Sequence, residues 1–485
     1  MAEFRELDDK RFLDAKTQMR SAEDIPAAVA LLSEIYEENR TGGSDLARCR
    51  SLWERGECLQ LFGIHADRID ETLSAFHQAE QDFRAAVESS PEWFAHQIAD
   101  HRWFPENSFI VPAYRSLLDS FGDRSHAAQG NVAEVLKNMG MEASSALESL
   151  RRVRGVFRGW ADSAIERITR IESGEKLPFA SLRLAVEREI QIYPTDQDQF
   201  PDDQMLSDDD VRLPEWELAG LLNSGQWANR AKAACILRFT VPEPDASVVD
   251  ALFRLLESGE KRAIVRGQCA RTLGHYAARG NLRAEDSERL TQRLKVLLTS
   301  DPAYPVRAIA AEVLSSIGSD RPDVRERLVE AFRNSGKEDA NVQRTLVQAI
   351  GAFGPSARDL LPLVIAFQPH ERDTTGEVIK AAAILRITPP GEQDRTRSMT
   401  TFIESLRRQP FAAPLQTARE VRKAALGAIQ TVPILEAFRK KLLIERMVFD
   451  DSAQIRVEAA QVLMNLDRDL AVQAGAPAVL RRLGF

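Results

Sequence analysis

Val306-Arg307-Ala308-Ile309-Ala310-Ala311-Glu312-Val313-Leu314 states a pattern that recurs at seven places in the second half of this 485-residue chain. An apolar residue precedes an Arg, two small residues follow three and four positions on, and a Leu follows three later. Val265-Arg266-Gly-Gln-Cys269-Ala270-Arg-Thr-Leu273 and Ile455-Arg456-Val-Glu-Ala459-Ala460-Gln-Val-Leu463 match it closely, and worn copies centre on Arg230, Gln343, Lys380 and Arg422. Successive intervals between the seven centres are 36, 41, 36, 37, 42 and 34 residues. A period in this range marks a stack of two-helix units, each too small to bury its apolar face without its neighbours. Apolar residues are 44% and charged residues 28%, a profile of folded rather than disordered chains.

The two small residues let neighbouring helices approach closely, and the Leu fills the layer between them. Each copy is preceded by an apolar helix, as at 248–256, 290–298, 360–367 and 434–443. These units resemble HEAT repeats, in particular the short variety of bilin-lyase-type proteins, over roughly 310 of the 485 residues. The resemblance implies an all-α fold, a right-handed α-α superhelix of the HEAT/armadillo solenoid type. It also implies an acid six residues ahead of the Arg that pairs with it in a ladder between layers. Asp301, Asp450 and Glu260 stand at that spacing before Arg307, Arg456 and Arg266, whereas no acid stands there before Arg230, Gln343, Lys380 or Arg422.

Residues 216–485 are expected to form the solenoid. Residues 106–192 follow the grammar more weakly, through Gln129-Gly-Asn-Val132-Ala133-Glu-Val-Leu136 and Trp160-Ala161-Asp-Ser-Ala164-Ile165. Residues 1–105 read as helices without the Arg-centred template. Within them Leu52-Trp53-Glu-Arg-Gly56-Glu-Cys-Leu59-Gln-Leu-Phe62-Gly63, with a second helix ending before Pro91, resembles a tetratricopeptide unit, whose mid-helix Gly marks where a neighbour approaches. Residues 193–215 form an acidic, Pro-containing linker. Eight acids and one Arg between Asp196 and Glu215 give that stretch −7 of the chain's net −9, so the remainder is close to neutral. Bulk charge therefore excludes neither nucleic acid nor a membrane surface.

No motif commits the chain to catalysis. P-loop, GxSxG and HExxH sequences are absent. Asp196-Gln-Asp198 opens like a calcium loop, but Pro201 holds the position that needs Gly and Ser207 the one that needs Glu. Deoxyhypusine hydroxylase, a HEAT-type enzyme, needs several His-Glu pairs, and His370-Glu371 is the single one here. His96 and Asp100 lie one helical turn apart in the cluster between Pro91 and Pro105, yet no third ligand follows. That cluster is expected to be an aromatic corner of the core, with Trp93 and Trp103 as candidate anchors for a partner. Arg151, Arg154 and Arg158 share a face and are expected to offset the negative end of a helix. No cofactor or metal is implied. The four cysteines form no CxxC pair, and the acidic N-terminus lacks an apolar leader, which together suggest a reducing cytosol.

The expected function is a non-catalytic scaffold holding a protein or peptide along its concave face, with no membrane role. A nucleic-acid-binding solenoid and an accessory subunit of an enzyme are the alternatives. Arg271, Arg344, Lys380 and Arg422 have no acid at the ladder spacing, so they are the cations expected to meet a partner.

Overall fold

The computed structural model describes residues 10–18, 24–40, 45–101, 104–121, 127–174, 210–318, 320–369, 373–389, 392–407 and 415–485. Among them regular structure is helical throughout and no strand occurs. In chain order the α-helices are α1 (Lys10–Gln18), α2 (Ile25–Arg40), α3 (Asp45–His65), α4 (Ile69–Ser89), α5 (Pro91–His101), α6 (Val111–Phe121), α7 (Ala127–Met139), α8 (Leu147–Arg152) and α9 (Arg158–Glu172). The repeats follow as α10 (Glu215–Leu222), α11 (Trp227–Thr240), α12 (Ala246–Glu257), α13 (Ala263–Ala278), α14 (Ala284–Ser300), α15 (Tyr304–Ile317), α16 (Pro322–Arg333) and α17 (Ala340–Ala352). Then come α18 (Leu361–Ala366), α19 (Thr374–Ile387), α20 (Gln393–Arg407), α21 (Leu415–Ile429), α22 (Glu436–Phe449), α23 (Ala453–Leu466), α24 (Arg468–Gln473) and α25 (Ala476–Arg482).

The chain divides into two compact units: residues 1–177 with 410–419 and 434–485, and residues 178–409 with 420–433. This differs from the expected order of domains, because the first unit is assembled from both halves of the sequence. The expected linker 193–215 falls outside the described residues up to 209.

In the second unit the template helices α11, α13, α15, α17 and α19 pack side by side. Their small residues explain the closeness. A Cβ added to Gly351 would stand 2.7 Å from Ala383 Cα, so the axes of α17 and α19 could not otherwise come this near. The preceding helices form a second layer whose apolar faces, such as Val248, Leu252 and Leu256 or Leu290, Leu294 and Leu298, are buried against the first. Helix starts are signalled locally. Asp339 accepts from Asn341 N at the head of α17, Asp373 from Gly376 N at the head of α19, and Pro322 opens α16.

In the first unit α3 and α4 form an antiparallel hairpin. A Cβ at Gly56 would meet the Phe83 ring at 2.8 Å and one at Gly63 the Phe76 ring at 2.4 Å, so both glycines stand where the partner helix presses on α3. Trp53 packs on Phe83 and Phe94 with centroids 4.8 and 5.2 Å apart, so that of the Pro91–Pro105 cluster Phe94 lies in this aromatic corner. The C-terminal helix α22 then docks on α3 and α4, bringing Phe449 edge-on to Phe76 and Phe83. Among the described residues no single helix is long and apolar enough to cross a membrane. One strongly bent pair, Ala340–Ala352 with Gly354–Ala366, passes by length and composition, and its Val342, Leu346, Val347, Ile350 and Val364 lie in the core.

Candidate binding surface

The template Arg is a rivet between layers. Arg266 Nη1 donates to the carbonyl of Glu260 in its own inter-helix loop at 2.8 Å, while Nε and Nη2 grip both carboxylate oxygens of Asp301 in the next loop at 2.8 and 2.7 Å. Arg230 likewise joins Ser224 O to Glu260, and Arg307 joins Asp301 O to Glu338, but in both the Nε and Nη2 groups meet one carboxylate oxygen, Oε2. Bidentate pairing such as that of Arg266 with Asp301 fixes geometry as well as adding attraction. The expected pairing is therefore corrected. Arg266 and Arg307 take the main-chain oxygen, not the side chain, of the residue six positions ahead, and the acid there belongs to the Arg of the preceding layer; Arg456 pairs instead with Glu142, and Asp450 with Arg446. Gln343 and Lys380 keep only the main-chain half, donating to Ser335 O and Phe367 O at 2.8 and 2.6 Å.

The same geometry places the cations chosen for partner contact. Arg344 pairs with Asp373 at 3.3 Å and Arg271 with Glu312 at 2.9 Å. Lys380 is held by its carbonyl, and Arg422 is 2% exposed. All four are committed to joining helices or lie inside, because a guanidinium in a tightly layered stack finds an acceptor on the neighbouring layer. Trp93 is half-buried against Phe94, and Trp103 lies outside the described residues. His96 is exposed, whereas the side chain of Asp100 falls outside the described set. Arg154 and Arg158 both donate to Arg151 O at the end of α8, as a helix-end role requires. Among the described residues no three His, Cys, Asp or Glu side chains are grouped to hold a metal. All four cysteines are buried and none is in a disulfide, and burial pushes the Cys49 and Cys58 thiols up to about 12.

Two depressions in the second unit differ sharply in charge. The first, about 860 Å³, runs along α16 and is lined by Lys295 and four Arg residues against five acids. Its ions are largely mutually satisfied, as in Arg321–Glu288, Arg321–Asp323 and Arg325–Asp359. The Arg321 contact, followed by Lys295, holds the Asp323 carboxyl well below the usual range. The second, about 760 Å³, opens where the C-terminal ends of α15, α17, α19 and α21 come together. Arg358, Arg386 and Arg395 line it, with no acid among its lining residues. The sequence reading did not single out Arg358 or Arg395, whose grouping with Arg386 is set by the stacking of layers and not by spacing along the chain.

No family profile matches the chain. No curated protein matches it either. Among solved structures it is similar to the Escherichia coli protein YibA, at 19% identity over 59% of this chain and 97% of that one, with a TM-score of 0.31. It is also similar to the karyopherin Kap121p bound to the extreme C-terminus of the protein phosphatase Cdc14p, at 13% identity over 94% of this chain and 57% of that one, with a TM-score of 0.35. Kap121p bound to the SUMO protease Ulp1p gives 13%, 95%, 53% and 0.34 in the same terms. The chain spans little more than half the length of the karyopherin. At such identities and scores the likeness carries no conclusion, and the fold rests on the chain's own repeating helix pairs. The chain is an all-α helical-repeat solenoid.

Proposed function

We propose that the chain is a non-catalytic cytosolic scaffold that holds a protein partner along the layer formed by α11, α13, α15, α17 and α19. The observation that carries this reading is the continuity of that layer, in which each helix packs on the next and presents one outward row. Phe239 stands 42% exposed at one end beneath the Arg238 guanidinium, 4.5 Å from its ring centre, and Glu312, Ser316, Gln348 and Glu377 are exposed farther along. An extended row of this kind suits distributed contacts with a few anchors. The solved Kap121p complexes, with protein segments bound to a helical stack, illustrate such use by another protein. The units are read as HEAT-like and the α3–α4 hairpin as tetratricopeptide-like. Four thiols outside any disulfide suit a reducing compartment. The acid partners of Arg230, Arg266, Arg271, Arg307 and Arg344 weigh against nucleic acid, which needs cations free for phosphate.

The test is capture of partners by the tagged full chain from its host at low and moderate salt, with nuclease-treated controls. Phe239→Asp and Ser316→Arg alter the proposed layer. The same protein should survive nuclease and moderate salt with the native chain and be lost with both variants, whose melting temperatures should hold. Partners that vanish with nuclease, or that both variants retain, overturn the reading.

A further inference from the structure

Arg386 is set apart from the other interlayer arginines by what surrounds it. The guanidinium of α19 reaches across to Thr431, whose hydroxyl accepts from Nη2 and itself donates to Ala428 O. Its Nε is buried without a hydrogen bond, and so is the hydroxyl of Thr388, a residue only 3% exposed that lines the same cleft. Desolvation pushes the basicity of Arg386 down, and no neighbouring carboxylate acts on it. A cation taken partly out of water with only a hydroxyl for company is unfavourable unless something else supplies the countercharge.

The other two cations do not supply relief. Arg395 is held by carbonyls, donating to Leu385 O and Thr388 O at 2.9 and 2.7 Å and also to Pro433 O. Arg358 meets Glu392 at 2.5 Å on the rim. The cleft thus has positive lining and no acid of its own, whereas the groove along α16 balances its cations residue for residue. Its walls are also low. Gly351, Gly354 and Gly427, with three prolines, leave space where an extended main chain can lie beside the guanidinium.

We propose that this cleft is an acidic-residue subsite, in which Arg386, with Thr388 and Thr431, receives a side-chain carboxylate from an acidic segment of the partner polypeptide. The inference rests on the scaffold reading and adds to it what the partner must carry. The entering carboxylate displaces the Thr431 hydroxyl from the guanidinium and provides the missing countercharge, forming charge-assisted bonds that outrank the neutral one.

The experiment uses the full chain and a fluorescein-labelled peptide of alternating Glu and Gly, its Gln counterpart, and inorganic phosphate as a competitor. The Glu peptide should bind, the Gln peptide should not, and Arg386→Gln should weaken binding by roughly 10- to 100-fold, the loss expected for a charged hydrogen bond. Arg386→Gln should keep or raise the melting temperature, since it removes a desolvated charge; a merely structural arginine would lower it. Arg321→Gln, on the balanced groove, should bind the Glu peptide as the native chain does. Equal binding by the native chain and Arg386→Gln, no binding by either, or displacement of the peptide by low phosphate concentrations overturns the proposal. Partner capture separates this from the scaffold reading. If Arg386→Gln captures the native partner undiminished, the subsite falls and the scaffold stands; if the native chain captures no protein, the scaffold itself falls.

Discussion

Replacing Asp301 by Ala removes one rivet and leaves its mate behind. Arg266 would keep Glu260 O and Lys261 O at 2.8 and 3.0 Å but lose both carboxylate bonds, at a site where the two side chains are only 9% and 3% exposed. Ala303 N would also lose the Asp301 oxygen that accepts from it at 2.9 Å. Stranding one partner of a buried ion pair costs about 3–5 kcal/mol, because a desolvated charge remains without a counterion. The exposed pair Arg289–Glu257, at 42% and 35%, has the same bidentate form. Its Glu257→Ala variant should cost about 1 kcal/mol or less. Urea unfolding of the full chain, with slopes compared so that lost cooperativity is recognised, measures both. Hydrogen exchange across α13 and α15 then locates the loss. In a double-mutant cycle Arg266→Met should recover part of the Asp301→Ala penalty, with a coupling of about 1–3 kcal/mol. The reasoning is refuted if Asp301→Ala and Glu257→Ala fall within about 1 kcal/mol of each other, for burial would then not govern the strength of the rivet.

Three further expectations concern other parts of the fold. Glu106→Gln turns one of two accepting oxygens into a donor, facing either Ala453 N or Asn138 and Arg419, and should destabilise the first unit by roughly 3 kcal/mol; unchanged exchange protection of α23 would contradict this. Gly351→Ala sets about 1 kcal/mol of helix propensity against roughly 1–3 kcal/mol of overpacking on the Ala383 backbone, so melting should fall rather than rise. His275 is held below its ordinary basicity by desolvation, then by Arg279 and Arg238, so the unfolded chain binds its proton first. Its contribution is therefore full above the ordinary imidazole range and lost as pH falls through it. His275→Gln should flatten that part of the stability–pH curve, and a native imidazole titrating at the usual value would contradict the assignment.

The repeat was legible because its determinants are local. A helix needs its small residues and its Leu at fixed spacing, and the period survives even where the Arg has become Gln343 or Lys380. The partner of each Arg was not legible in the same way. Glu260 lies six residues before Arg266, yet its side chain turns to Arg230, and Asp373 misses the six-residue register altogether while still meeting Arg344. The register that matters is set by layer spacing and not by distance along the chain. The setting of Arg386 was not legible for a related reason, since its meaning lies in which acids are absent around it in space. Least legible was the junction at Glu106 and Asn107. There Glu106 N donates to Asp451 O at 2.7 Å, Asn107 reaches Asp450 O at 2.8 Å, and Arg456 pairs with Glu142 at 2.7 Å. Pro105-Glu106-Asn107 reads as an ordinary loop, and nothing within its own stretch announces partners about 340 residues away.

That junction bears on how the protein is made. Residues 1–177 emerge first but lack the helices against which α3, α4 and Glu106 pack, and those helices begin about 250 residues later, at 434. At translation speeds of about 5–20 residues per second the delay is on the order of 10–50 s. Throughout that interval Phe76 and Phe83 await Phe449, and the Glu106 carboxylate awaits Ala453. The nascent first unit therefore presents an unfinished apolar face to the cell while the second unit is being synthesised, which makes it the natural client for a chaperone and the place where slowed or interrupted synthesis does most harm.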